Sequence, residues 1–263
     1  MRFNFDLISD LHIESWPETF DWRDQPTSPY CVVAGDVSRD RTTVIKTLEH
    51  LGQCYQGVFY IDGNDEHRDH LNSLSLSYKG LDDSISHLRN VVYLQDNLVV
   101  IDGVAFMASN GWWTYDFDPS IDHDRVVEWF CDYTDVTPEL ASSLVKIAYH
   151  DVAYLLNCIR RIQRHPDIKA VVVVTHTVPS PLLTEHDIDL QGTPRYNCLG
   201  NEMMNMILSE DLGKKIHTWC FGHYHKPVDR IIDNVRYVNN GRGRGGTHWC
   251  QPAYYPKRIT IDY

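Results

Sequence analysis

Three times in its first 66 residues, this chain runs a short apolar stretch directly into a cluster of metal-capable side chains. Phe3 to Ser9 leads into Asp10-Leu11-His12, Tyr30 to Ala34 into Gly35-Asp36, and Val58 to Ile61 into Gly63-Asn64-Asp65-Glu66. Short apolar runs bounded by turn-forming residues are the signature of buried strands. Between the second and third runs, Val44, Ile45, Leu48 and Leu51 recur at helical spacing within Thr42 to Cys54, which predicts a crossover helix. Strands alternating with helices imply a largely parallel sheet. In such sheets ligands bind beyond the carboxyl ends of the strands, where these polar clusters fall.

The remainder reads as a change of style. Leu98 to Ala108 predicts a hairpin around Asp102-Gly103, a strong two-residue turn signal. Ile121 to His165 is expected to be mostly helical, with Pro138 in a first turn and an apolar stripe through Leu144, Ile147, Val152, Leu155 and Ile159. Ala170 to Val174 is a buried strand leading into Thr175-His176, and Met203 to Leu212 a short helix. His217 to Phe221, Arg230 to Val238 and Arg258 to Ile261 read as closing strands. The expectation is an α/β chain of mixed sheets with helices outside. Residues 1–263 read as one domain, with a helical and aromatic insertion around 110–165.

Charge narrows the partners. With 36 acids against 24 bases the net charge is −12, which argues against a duplex nucleic acid held through its phosphates. A small phosphorylated substrate stays open, because bound metal supplies positive charge that residue counts omit. The N-terminus lacks the apolar core of a signal peptide and no apolar run approaches a membrane span, so no membrane partner is expected. Seven cysteines without a C-x-x-C pair suit a reducing cytoplasm, the expected location. Nothing in the sequence speaks to oligomeric state.

Asp10, His12, Asp36, Asn64, His176, His223 and His225 all fall at strand ends. Carboxylate and imidazole together suit Mn, Fe, Zn or Co better than calcium. Seven such groups exceed what one ion with an open position needs, and suit two ions sharing a carboxylate. The ordered blocks D-x-H (Asp10, His12), G-D (Gly35, Asp36), G-N-x-E (Gly63, Asn64, Glu66), a lone His176 and G-H-x-H (Gly222, His223, His225) resemble the calcineurin-like metallophosphoesterase superfamily. Asn110 to Thr114 and Val174 to Ser180 resemble its small bacterial and phage members. This resemblance implies a four-layer αββα sandwich and two divalent ions, Mn first, with Fe, Zn, Co or Ni as alternatives. It implies Asp10, His12 and His225 on one ion, Asn64, His176 and His223 on the other, and Asp36 bridging. A water or hydroxide between the ions would then attack phosphorus.

One block departs from the pattern. The family's third block normally reads G-N-H-[DE], and Asp65 stands where the histidine that protonates the leaving group is expected. An ordinary carboxyl group is ionised at neutral pH and cannot donate that proton. Three alternatives follow: Asp65 is held protonated by neighbouring acids, His67 swings in as the acid, or the leaving group departs without help. The last is favoured. It predicts hydrolysis of phosphodiesters or other activated phosphoesters over phosphomonoesters. The competing expectations are a catalytically impaired metal-binding module and a nuclease acting on short single strands.

Substrate contacts are less constrained. In Gly241-Arg242-Gly243-Arg244-Gly245-Gly246, Arg242 and Arg244 can fork onto phosphate, or the loop can be a solvated connection. Trp112, with Trp113, Tyr115 and Phe117, forms either core or a stacking wall for a nucleotide-like substrate. His186 and His248 lie near motif loops and are weaker candidates.

Overall fold

The computed structural model describes residues 1–17, 22 and 25–263. Among these described residues eleven strands form two sheets. The first contains β1 (Arg2–Ile8), β2 (Tyr30–Ala34), β3 (Gly57–Ile61), β4 (Val91–Tyr93) and β11 (Lys257–Asp262), in the order β11-β1-β2-β3-β4. All neighbours are parallel except β11, which closes antiparallel on β1. The second contains β5 (Asn97–Ile101), β6 (Val104–Ala108), β7 (Ala170–Val174), β8 (Ile216–Phe221), β9 (Val228–Ile232) and β10 (Val235–Asn239), in the order β5-β6-β7-β8-β10-β9. Its inner pairs are parallel and both edges antiparallel.

Strand alternation sorts the side chains into layers. Phe3, Phe5 and Leu7 of β1 face Phe106, Val172 and Val174 across the sandwich. The outer face of the first sheet, through Cys31, Val33 and Tyr60, packs on α1 (Arg41–Cys54) and α2 (Leu74–Ile85). Val171, Val173 and Trp219 on the second sheet pack on α4 (Pro138–Gln163) and α5 (Asn205–Ser209). The result is the expected four-layer αββα sandwich. Another cluster joins α3 (His123–Thr134), the first turns of α4, Trp112, Trp113 and Leu71, and builds a wall beside the strand ends.

The hairpin at Asp102-Gly103 forms as expected, with both residues at positive φ (49° and 77°), as a tight two-residue turn requires. One expectation needs correction. Arg230 to Val238 is not one strand: Asp233 and Asn234 sit at φ 50° and 69° and fold it into the β9–β10 hairpin. Short side chains that tolerate the left-handed region allow that turn inside an apolar run. The segment from Ile121 to His165 is mostly helical as expected, in two helices: the first ends at Asp135 (φ 56°) and the second starts at Thr137, whose hydroxyl caps Leu140 N–H, with Pro138 in its first turn. No helix among the described residues is long and apolar enough to cross a membrane.

Candidate metal centre

Asp10, His12, Asp36, His223 and His225 all have left-handed backbones, with φ of 50°, 42°, 53°, 64° and 62°. They make up five of the twelve non-glycine residues at positive φ among the described residues. Such conformations cost energy and persist only where the surroundings enforce them. Here the strand-end loops enforce one another. Asp10 N–H donates to the Gly35 carbonyl (2.9 Å) and His12 N–H to that of Asp36 (3.1 Å). Glu66 is the hub, its carboxylate accepting from the N–H groups of Asp36 (3.1 Å), Val37 (2.7 Å) and Gly63 (2.9 Å). Gly63 must lack a side chain, because a Cβ there would lie 2.1 Å from Asp36 Oδ1.

The side chains then converge in two groups. Asp10, His12, Asp36 and His225 form one, and Asp36, His176 and His223 the other, with candidate ligand atoms within 4.8 Å of one another. In the first, His12 Nε2 lies 2.9 Å from His225 Nε2 and 3.6 Å from Asp36 Oδ2, while His225 Nε2 lies 3.5 Å from Asp10 Oδ1. In the second, His176 Nε2 lies 3.4 Å from Asp36 Oδ1 and 3.1 Å from the Asn64 side-chain oxygen. Asp36 thus offers one oxygen to each group.

Hydrogen bonds orient the imidazoles. His176 donates Nδ1–H to the Ala34 carbonyl (2.9 Å), which turns Nε2 toward Asp36 and Asn64. His223 donates Nε2–H to the Cys198 carbonyl (3.0 Å), which leaves Nδ1 as its lone pair. This is the arrangement by which backbone carbonyls fix the tautomer of ligating histidines. Burial and the positive field of His176 push His223 down to about 3, so it is neutral, the form that binds metal. Burial opposes charge on His176, but Asp36 and Asp10 overcome it and lift the ring to about 10. Asp10 Oδ2 is buried and has no hydrogen-bond partner among the described residues. Converging lone pairs, a bridging carboxylate and an orphaned buried oxygen fit a divalent metal.

Asp65 faces this centre but is engaged by two arginines and an imidazole. It pairs with Arg244, with Arg39 Nε (3.3 Å) and with His12 Nδ1 (3.3 Å). Burial and Asp36 work to raise its carboxyl, yet His12 and Arg244 hold it below the usual carboxylate range. The structure places His67 away from this cleft. Its ring is locked between Ser77 Oγ and Asp62 Oδ2, both at 2.8 Å, and is not among the groups lining the cleft. It supports the fold through Asp62, which also accepts from Asn110 Nδ2 (2.8 Å) and Tyr93.

The cleft over the centre is lined by Arg244 but not by Arg242, which lies buried with its guanidinium 3.8 Å from the Trp16 ring. Trp112 is buried in the cleft wall and donates to the Tyr78 hydroxyl; its neighbour Trp113 stacks on His223 at 5.6 Å and 20°. His186 and His248 do not line the cleft. Arg39, Arg68 and Arg195, absent from the sequence expectations, do. Arg39, three residues after Asp36, and Arg68, two after Glu66, had a local signal; Arg195 reaches the site from a distant loop.

No protein-family profile matches the chain, and a comparison with curated proteins finds no significant relative. Solved structures do resemble it. Phosphopantetheinyl hydrolase from Mycobacterium tuberculosis shares 19% identity over 97% of this chain and 98% of its own, with a TM-score of 0.69. The fold is metallophosphoesterase-like. A structure described as a proposed 5′-nucleotidase from Staphylococcus aureus matches all of this chain but 51% of its own length (14% identity, TM-score 0.51). GAP50, described as the anchor in the inner membrane complex of Plasmodium, matches 95% of this chain and 75% of its own (11% identity, TM-score 0.50). At these identities the shared property is the fold.

Proposed function

We propose that the protein is a metal-dependent phosphoesterase that hydrolyses phosphodiester or other activated phosphoester bonds in small substrates. The carrying observation is that Asp36 presents one oxygen to each of two histidine-bearing groups. Asp10, His12, Asp36 and His225 would hold one divalent ion, and Asp36, Asn64, His176 and His223 a second, with Mn the first choice. When bound, such ions neutralise phosphoryl charge and lower the pKa of water. The chain's own contribution is orientation. Glu66 fixes the loops, the Ala34 and Cys198 carbonyls fix the imidazoles, and Arg244 reaches over the centre from the opposite loop.

Asp65 sets the bond type. Salt-bridged to Arg39 and Arg244, it offers the leaving oxygen no proton, so departure must need none. Aryl diesters and anhydrides meet that condition, whereas alkyl monoesters do not. The test pairs elemental analysis with turnover of bis(p-nitrophenyl) phosphate and glycerol phosphate. The expected result is bound transition metal and chelator-sensitive hydrolysis of the diester, with the alkyl monoester turned over at least tenfold more slowly.

A second reading is a binding module that retains metal without catalysis. It is favoured by the same Asp65 pairing, and the fold is shared with a protein described as an anchor. Stoichiometric metal with no hydrolysis of diesters, anhydrides or monoesters would establish it in place of the first.

A further inference from the structure

The cleft above the candidate metal centre has a cationic side and an aromatic side. Arg39, Arg68, Arg195 and Arg244 all line it, in a chain whose net charge is −12. Arg39 and Arg244 are compensated by Asp65. Arg68 and Arg195 form no ion pair among the described residues; the guanidinium of Arg68 lies 5.5 Å from the Tyr133 ring centre. Guanidinium groups left uncompensated at a cleft are suited to forked hydrogen bonding with phosphate. A single scissile phosphate already has the metal centre and Arg244 to meet it, so Arg68 and Arg195 are available to a further anion.

The aromatic side is contributed by α3. Trp129 and Tyr133, one helical turn apart, stack at 5.2 Å and 7°, and both line the cleft. Tyr133 is 60% exposed, and Phe130 behind it is buried against Trp113 at 5.7 Å. A partly exposed aromatic pair backed by core forms a platform for a flat ring.

Building on the phosphoesterase reading, we propose that the substrate is a nucleotide with at least two phosphates. One phosphate lies at the metal centre, a second engages Arg68 and Arg195, and the base packs on Trp129 and Tyr133. The bond cleaved is a phosphoanhydride. The oxygen of water bonds to phosphorus while the bond to the bridging oxygen breaks. That electron pair stays on the departing phosphate, and the proton of water passes to solvent.

The test is calorimetric binding to the full chain as purified, using adenosine 5′-(α,β-methylene)diphosphate, which resists hydrolysis, beside adenosine monophosphate and inorganic pyrophosphate. The expected result is at least tenfold tighter binding of the diphosphate than of the monophosphate. Arg68→Gln with Arg195→Gln should erase that preference, and Trp129→Ala should weaken both nucleotides but not pyrophosphate. Equal affinity of the two nucleotides for the unmodified chain overturns the proposal, and so does a preference that survives in the folded double variant. If the double variant does not fold, exposed Arg195→Gln alone should reduce the preference at least threefold, and an unchanged preference overturns it. Because the readout is binding, this failure can occur while diester hydrolysis stands, and loss of the phosphoesterase reading would show instead as absent hydrolysis.

Discussion

The Nε2 atoms of His12 and His225 face each other at 2.9 Å across the carboxylates of Asp10 and Asp36. At that distance the two imidazoles share a proton or turn both lone pairs toward a cation, and the proposed function requires the second. Added divalent metal should therefore stabilise the fold, by about 2.7 kcal/mol at a hundredfold excess over Kd. Because Asp36 serves both groups, Asp36→Asn should remove more metal than Asp10→Asn does. Elemental analysis of the two variants checks this, and equal metal contents would count against a shared carboxylate.

Glu66 accepts three backbone N–H bonds and touches no substrate-facing surface. Glu66→Ala leaves those buried donors without an acceptor and should cost roughly 3 kcal/mol or more. Glu66→Gln keeps one oxygen and should cost less. Urea unfolding of both variants measures the ordering, and a loss for Glu66→Ala no larger than that of a surface substitution would contradict this role.

Asp65 holds Arg244 and Arg39 where a proton donor would otherwise stand. Asp65→His should raise kcat/KM for alkyl monoesters relative to aryl diesters by about tenfold or more, short of the roughly hundredfold at the low end of what an evolved general acid contributes. Steady-state rates on the two substrate types give the ratio. An unchanged ratio would mean that the leaving group is assisted from elsewhere.

Asp151 on α4 tethers the loop bearing the two tryptophans, accepting from Gly111 N–H (2.8 Å), Trp112 N–H (3.1 Å) and Ser109 Oγ (2.6 Å). Burial pushes its carboxyl up to about 7, against the pull of Ser109 and with help from Asp96. A carboxyl raised in the folded state holds its proton longer than in the unfolded chain, so this group's contribution to stability declines as pH rises from about 4 to about 7. Asp151→Asn keeps an acceptor for the two N–H groups and removes that decline. Urea midpoints at intervals from pH 5 to pH 8 should fall less steeply for the variant than for the parent protein. Parallel slopes would show that Asp151 titrates like an exposed acid.

What the chain announces locally is the chemistry. Asp10, His12, Asp36, Asn64, His176, His223 and His225 each follow an apolar strand, and strand-end placement in an α/β sheet is enough to send them to one edge. Hairpins and helix starts were legible where short-range turn and capping chemistry decides them, as at Asp102-Gly103 and Thr137-Pro138. At Asp233-Asn234 the same chemistry was hidden inside an apolar run. The charge state of Asp65, the locking of His67 on Asp62 and Ser77, and the convergence of Arg39, Arg68, Arg195 and Arg244 were decided only by tertiary structure. Each depends on which distant loops share a volume, and electrostatics and hydrogen bonding act through that proximity rather than along the chain.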